Sequence, residues 1–184
     1  MSKGNIFVIS GPSGCGKDTL MAELFKKRPD IKFSISSITR PMREGEVEGQ
    51  KYNFISREKF EEMLENDMFL EHNVFVGNYY GTPKQPVLDA ADAGHNILIE
   101  VDVNGADQIR AKLPQAISIF IMPPSVEVLR KRLSGRGTET EDIIQKRMDS
   151  ALSEMKRADE YNYTVVNDDL QVAVDEIIEI IEKQ

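Results

Sequence analysis

An apolar run, IFVIS at 6–10, leads directly into GPSGCGK at 11–17 and then into DTLMAELFKK, a segment with helical spacing. No other stretch restricts the fold as much. A buried strand, a glycine turn and a helix N-terminus in immediate succession aim backbone N–H groups and the positive end of the helix dipole at one point, which makes a cradle for phosphate. Gly11, Gly16 and Lys17 satisfy the G-x-x-x-x-G-K part of the phosphate-loop pattern, with the lysine reaching the β- and γ-phosphates. The last position of that pattern, a hydroxyl that meets magnesium, holds Asp18 instead. An acid there suits the first turn of a helix by about 0.3–1 kcal/mol, but it repels a triphosphate unless a cation or water lies between. Thr19 comes about 100° further round the helix and cannot stand in for the missing hydroxyl. Magnesium is therefore expected to be held mainly by nucleotide oxygens and water.

The same grammar recurs along the chain. Apolar runs at 96–102 (NILIEVD), 116–122 (AISIFIM) and 163–167 (YTVVN) are bounded by turns, as buried parallel strands are. Amphipathic stretches near 18–28, 103–113, 125–135, 140–158 and 169–183 lie between or after them. Alternation of this kind predicts an open α/β fold, a parallel sheet flanked by helices with right-handed crossovers. At 184 residues one core suffices, so a single domain is expected, with its core in 1–32 and 85–184. Between them, 33–84 is rich in aromatic and polar residues around a short helical pattern, SREKFEEMLEN, and reads as a small mixed-sheet insertion. A short helical lid is expected at about 133–147, with Thr138 and Glu141 at capping-box spacing for the helix that follows.

The chain carries a net charge of -8, which disfavours nucleic acid as a partner and leaves local basic clusters to hold small anions. Its one cysteine, Cys15, excludes an internal disulfide and a cysteine-rich metal site. No run of about 20 apolar residues offers a membrane span, and a cytoplasmic setting is expected.

The segments SSITRPMREGEVEGQKYNF, FLEHNVFVGNYYGT, EVDVNGA, KRLSGRGTETE and VVNDD, following the phosphate loop in this order, resemble the guanylate kinase family from about Gly4 to the C-terminus. The resemblance implies transfer of the γ-phosphoryl group of ATP to GMP with Mg2+, by a monomer or homodimer. It implies ATP binding by Gly11, Pro12, Ser13, Gly14, Cys15, Gly16, Lys17, Asp18, Thr19, Arg136 and Asn167. It implies GMP binding by Ser36, Arg40, Arg43, Tyr52, Glu71, Tyr80, Thr82 and Asp102, and catalysis by Lys17, Arg132, Arg136 and Arg147. An acid at Asp18 departs from the family's Ser or Gly.

The residues suit guanine chemically. Its Watson–Crick edge offers N1–H and a 2-amino group as donors beside the O6 acceptor, and ionised carboxylates only accept. Glu71 and Asp102 match the family's acids for those donors, and Ser36 and Thr82 match hydroxyls near the base, O6 included. Arg40 and Arg43 offer forks to the GMP phosphate, joined by the hydroxyls of Tyr52 and Tyr80. Glu100 and Asp102 are read as lying on opposite faces of the 96–102 strand, so only one of them is expected to face the base. Asn167, Asp168 and Asp169 are expected near adenine. Two other readings compete: a non-catalytic binding module of the kind found in scaffold proteins, and a kinase for another nucleoside monophosphate.

Overall fold

The computed structural model describes residues 3–135 and 140–184. Its main sheet is parallel throughout and is built around β1 (Ile6–Ser10), every residue of which is buried. Strand β7 (Ile97–Glu100) pairs on one side and β8 (Ile117–Met122) on the other, with β2 (Lys32–Phe33) and β9 (Tyr163–Val166) at the edges. Because successive side chains alternate, Phe7 and Ile9 enter one core with Leu98, Ile119 and Ile121, while Ile6 and Val8 enter the other with Ile97, Ile99 and Phe120. Helices α1 (Lys17–Lys27) and α7 (Leu170–Glu182) cover the first face through Leu20, Leu24, Val174 and Ile177. Helices α3 (Lys84–Asp92) and α4 (Val103–Lys112) cover the second through Val87, Ala91, Ala106 and Ile109.

The segment 33–84 forms a second, mixed sheet. Its order is β4 (Tyr52–Phe54), β3 (Ser36–Ile38), β6 (Asn78–Pro83), β5 (Phe69–Phe75), with β3 and β4 parallel and the other pairs antiparallel. Helix α2 (Arg57–Glu65), capped by the Ser56 hydroxyl accepting from the Lys59 N–H, matches the expected short helix. A register shift on β5 between Phe69 and Glu71 lets Phe69, Leu70 and Glu71 all be buried, contrary to strict alternation. Two helices that the resemblance associates with the lid, α5 (Val126–Ser134) and α6 (Glu141–Met155), pack on each other through Leu129, Leu133, Ile144, Met148 and Ala151.

Several boundaries differ from expectation. The 96–102 strand stops at Glu100, because Asp102 becomes the N-cap of α4 and its carboxylate accepts from the Gly105 N–H at 2.7 Å. The N-cap of α6 is Thr140; Thr138, placed at capping-box spacing in the sequence, lies outside the described residues. Strand β2 and helix α3 had no counterpart in the sequence reading. Among the described residues, no helix is long and apolar enough to cross a membrane.

Candidate active site

The main-sheet strands β1, β7 and β9 deliver their part of the site at one edge, the carboxyl edge where open α/β sheets take ligands. The phosphate loop leaves β1 there and enters α1 at Lys17. Gly16, the helix N-cap, sits at φ 90, and a Cβ on it would lie 2.5 Å from the Asn167 side-chain nitrogen. Only glycine fits, on grounds of both conformation and space. The Lys17 ammonium donates to the Gly11 carbonyl at 2.6 Å, curled back over its own loop.

A cavity of about 990 Å3 lies over this loop, lined by Gly11 to Gly14, Gly16 to Thr19, Arg132, Arg147 and Asn167 among others. Arg132 donates to the Cys15 and Asn167 carbonyls at 3.3 and 3.2 Å, and Arg147 donates to the Ser13 hydroxyl at 3.0 Å. Both guanidinium groups thus stand against the cradle from α5 and α6. Arg136 lies outside the described residues. Cys15 is fully buried and does not line the cavity; burial pushes its thiol above the usual cysteine range despite the neighbouring Lys17.

Asn167 is buried, and its amide donates to the Cys15 carbonyl at 2.8 Å. Its nitrogen braces the back of the phosphate loop, a more specific placement than the expected neighbourhood of adenine. Asp168 lines the cavity, whereas Asp169 caps α7 by accepting from the Val172 N–H.

A second cavity, about 420 Å3, opens from the first and is lined by Arg40, Arg43, Glu71, Asn73 and Tyr80. Ser36, Tyr52, Phe75, Glu100, Val101 and Asp102 line both. The two cavities are therefore one cleft, with a phosphate loop at one end and a pair of acids at the other.

Glu71 is only 6 % exposed and accepts from the Thr82 hydroxyl at 2.7 Å. Burial pushes its carboxyl up to about 7, with the nearby Asp102 charge adding to the rise and Thr82 opposing it. Gly105 gives these two acids room, since a Cβ there would lie 3.1 Å from the Glu71 carboxylate and 3.4 Å from that of Asp102. Thr82 is itself fully buried behind Glu71 and absent from the cavity lining. Its hydroxyl proton is donated to the carboxylate, which orients Glu71. Ser36 does line the cleft.

Arg40, expected to meet a phosphate, is clasped bidentately by Glu46 at 2.7 and 2.6 Å. That Arg40 fork holds the Glu46 carboxyl down to about 2. Glu46 also accepts from the Arg43 N–H at 2.7 Å, which fixes the loop carrying both arginines. The sequence reading had no role for Glu46. It also drew nothing from Asn73, whose amide donates to Asp102 at 3.2 Å inside the second cavity.

The expected separation of Glu100 from Asp102 fails. Residues two apart on a strand share a face, the strand has ended before Asp102, and both side chains line the cleft. Burial raises the Glu100 carboxyl, while Lys51 and Lys17 oppose the rise and Asp18 reinforces it. Lys51 is a further unforeseen participant: it reaches from the inserted sheet to donate to Asp18 at 2.7 Å.

A phosphate loop facing an acid-lined cavity across one cleft, with arginines from two helices against the loop, is the layout of a P-loop nucleoside monophosphate kinase. The family model for guanylate kinase matches residues 3–184. The chain is 46% identical to the guanylate kinase of Carboxydothermus hydrogenoformans over 96% of its own length and 87% of that protein's. It is 48% identical to that of Trichormus variabilis over 96% and 88% of the two chains. The crystal structure of guanylate kinase from Anaplasma phagocytophilum superposes with a TM-score of 0.78 at 34% identity, covering 99% of this chain and 86% of that one. The chain belongs to the guanylate kinase family, whose members are ATP-dependent kinases of a nucleoside monophosphate.

Proposed function

We propose that this chain transfers the γ-phosphoryl group of ATP to GMP, giving ADP and GDP. The observation that carries this reading is a pair of acids, the buried Glu71 and the more open Asp102, set in a cavity continuous with the phosphate loop. Their oxygens accept from N1–H and the 2-amino group of guanine. Adenine and the pyrimidines lack that donor pair and would leave buried acceptors unpaired, which polar sites reject by ~10⁴ or more.

The phosphate of GMP is received by Arg40 and Arg43 with the hydroxyls of Tyr52 and Tyr80, once Arg40 exchanges Glu46 for phosphate. That phosphate is largely dianionic at neutral pH, its second pKa being near ~6, so no protein base is needed to make it a nucleophile. Catalysis then consists of holding donor and acceptor in line and offsetting charge as it moves. Lys17, Arg132 and Arg147 supply that offset at the loop end, with Arg136 added by family resemblance.

The donor set suits Mg2+ brought in with ATP. Asp18 and Glu100 offer hard oxygens at the loop cavity, and among the described residues no cluster of three or more metal-binding side chains forms a cage of its own. When bound, the ion supplies charge neutralisation between the β- and γ-phosphates.

A coupled ADP-release assay across GMP, AMP, CMP and UMP tests the assignment, with Lys17→Ala as control. Turnover confined to GMP and lost in the control is expected. Equal turnover of AMP would remove the role of the paired acids, and tight GMP binding without turnover would favour a binding module.

A further inference from the structure

Asp18 places a negative charge beside the very phosphates the loop should attract, and the structure provides a partner for it. Lys51 lies immediately before β4 on the inserted sheet, and its ammonium donates to Asp18 at 2.7 Å across 33 residues of sequence. Both side chains line the phosphate-loop cavity, whereas Lys51 does not line the acid-paired cavity. Its neighbour Tyr52 lines both, and the Lys51 ammonium lies 6.0 Å from the centre of that ring. Glu100 adds a second carboxylate whose field reaches the same ammonium. Lys51 therefore stands between two acids at the mouth of the triphosphate site, tied to the sheet that carries the acceptor cavity.

We infer that Lys51 is a positioning residue for ATP, acting through Asp18: it holds that carboxylate toward the inserted sheet and offsets its charge, so that the loop can accept a triphosphate. The inference rests on the proposed function only for the identity of the triphosphate.

Its signature is that the effect of Lys51 depends on which residue stands at 18. With the acid in place, Lys51→Ala removes the ammonium that offsets its charge at the edge of a partly solvated phosphate site, worth about tenfold in affinity. With serine at 18 there is no charge to offset. An unanchored lysine, 51% exposed in the native pair, then contributes little through solvent. Asp18→Ser alone should accordingly change ATP binding by less than about twofold, while in the Lys51→Ala background it should restore about tenfold.

The experiment is titration calorimetry with a non-hydrolysable ATP analogue and Mg2+, in the absence of GMP, on the four proteins of this cycle. Lys51→Met, which keeps the aliphatic stem against Tyr52, serves if the alanine variant folds poorly. The expected result is a loss of about tenfold in Lys51→Ala, recovery in the double variant, and a gap that narrows in high salt because the charges are partly exposed. GMP affinity of Lys51→Ala should stay within about twofold of the parent, since Lys51 does not line the acid-paired cavity. An equal loss in both backgrounds would make Lys51 a direct phosphate ligand and overturn the inference, as would no loss in either. Failure of the parent protein to bind the analogue would sink the reading of the loop itself, a result distinct from both.

Discussion

Glu71→Gln should make the ligand-free protein more stable at alkaline pH while damaging GMP binding. Glu71 is 6 % exposed and its carboxyl is raised from 4.5 to about 7, mainly by burial. A group whose folded pKa lies above its unfolded value binds its proton more tightly in the folded state. Its stabilising contribution is therefore complete below about pH 4.5 and is lost as pH climbs through 7. The interval corresponds to about 3 kcal/mol by proton linkage. Glutamine keeps an oxygen for the Thr82 hydroxyl but carries no charge, so the variant should gain relative to the parent as pH rises, by roughly 1–3 kcal/mol at pH 8. For a chain of this size each kcal/mol moves the melting temperature by about 2–4 °C. Melting curves at pH 5.5 and pH 8 read the effect directly, with a gap of several degrees at the higher pH and roughly half as much at the lower. The same titration must appear in binding. GMP needs the ionised acid, so parent affinity should fall about tenfold between pH 8 and pH 6. Titration of the GMP phosphate itself is common to parent and variant, and the difference between their pH profiles isolates Glu71. Identical melting gaps at both pH values, or parallel binding profiles, would refute the claim that Glu71 is the titrating recogniser.

Three other perturbations probe the rest of the cleft. Glu46→Gln frees the Arg40 fork from the bidentate clasp and should tighten GMP severalfold while leaving guanosine unchanged, a contrast that competition binding resolves. Gly16→Ala forces a side chain into φ 90 and against Asn167; a loss of ATP-analogue affinity of at least tenfold with GMP binding retained is expected, along with about 1–2 kcal/mol of stability, measured by calorimetry and denaturant melts. Asn167→Ala removes the shorter of the two hydrogen bonds to the Cys15 carbonyl, leaving that from Arg132, at a cost of about 0.5–1.5 kcal/mol; a KM increase for ATP alone, with the GMP KM unchanged, is the expected kinetic signature.

What could be read in the chain was what local chemistry dictates. The phosphate loop is legible because strand, glycines, lysine and helix are contiguous, and β1, β8 and β9 because fully buried parallel strands need unbroken apolar runs. Strand β2 has only two residues, one exposed and one half-buried, and so has no periodicity to detect. Helix α3 begins beside Pro83 and carries few apolar residues, Val87 and Ala91 being its buried ones. The end of the 96–102 run at Glu100 follows from a capping bond, which needs Gly105 to fold back onto Asp102. Family resemblance supplied the recognition residues but not their partners. Lys51 meets Asp18 over 33 residues, Asn73 meets Asp102 over 29, and Thr82 meets Glu71 over 11. No spacing rule for helices or strands joins positions so far apart. The meeting of the inserted sheet with the main fold creates the first two contacts, and the register of β5 against β6 creates the third.

Those partners share a logic that bears on selectivity. Across the cleft, groups assigned to ligand recognition already hold protein partners: Lys17 the Gly11 carbonyl, Arg147 the Ser13 hydroxyl, Arg40 the Glu46 carboxylate, Glu71 the Thr82 hydroxyl and Asp102 the Asn73 amide. Of these only Glu71 is buried; a buried polar group left unpaired costs about 1–3 kcal/mol, a cost that the Thr82 hydroxyl spares the ligand-free protein. Binding is then an exchange of partners for some groups and an addition for others. Arg40 must give up Glu46 to take phosphate with the same fork, whereas Glu71 and Asp102 retain spare lone pairs for guanine. Net affinity at the phosphate end is thereby reduced relative to its contacts, while the base end keeps its full discrimination. A nucleotide with the right phosphate and the wrong base meets the same exchange without the compensating additions, so on the proposed function the Arg40–Glu46 pair lowers the affinity of every monophosphate alike and leaves the ratio between them to Glu71 and Asp102.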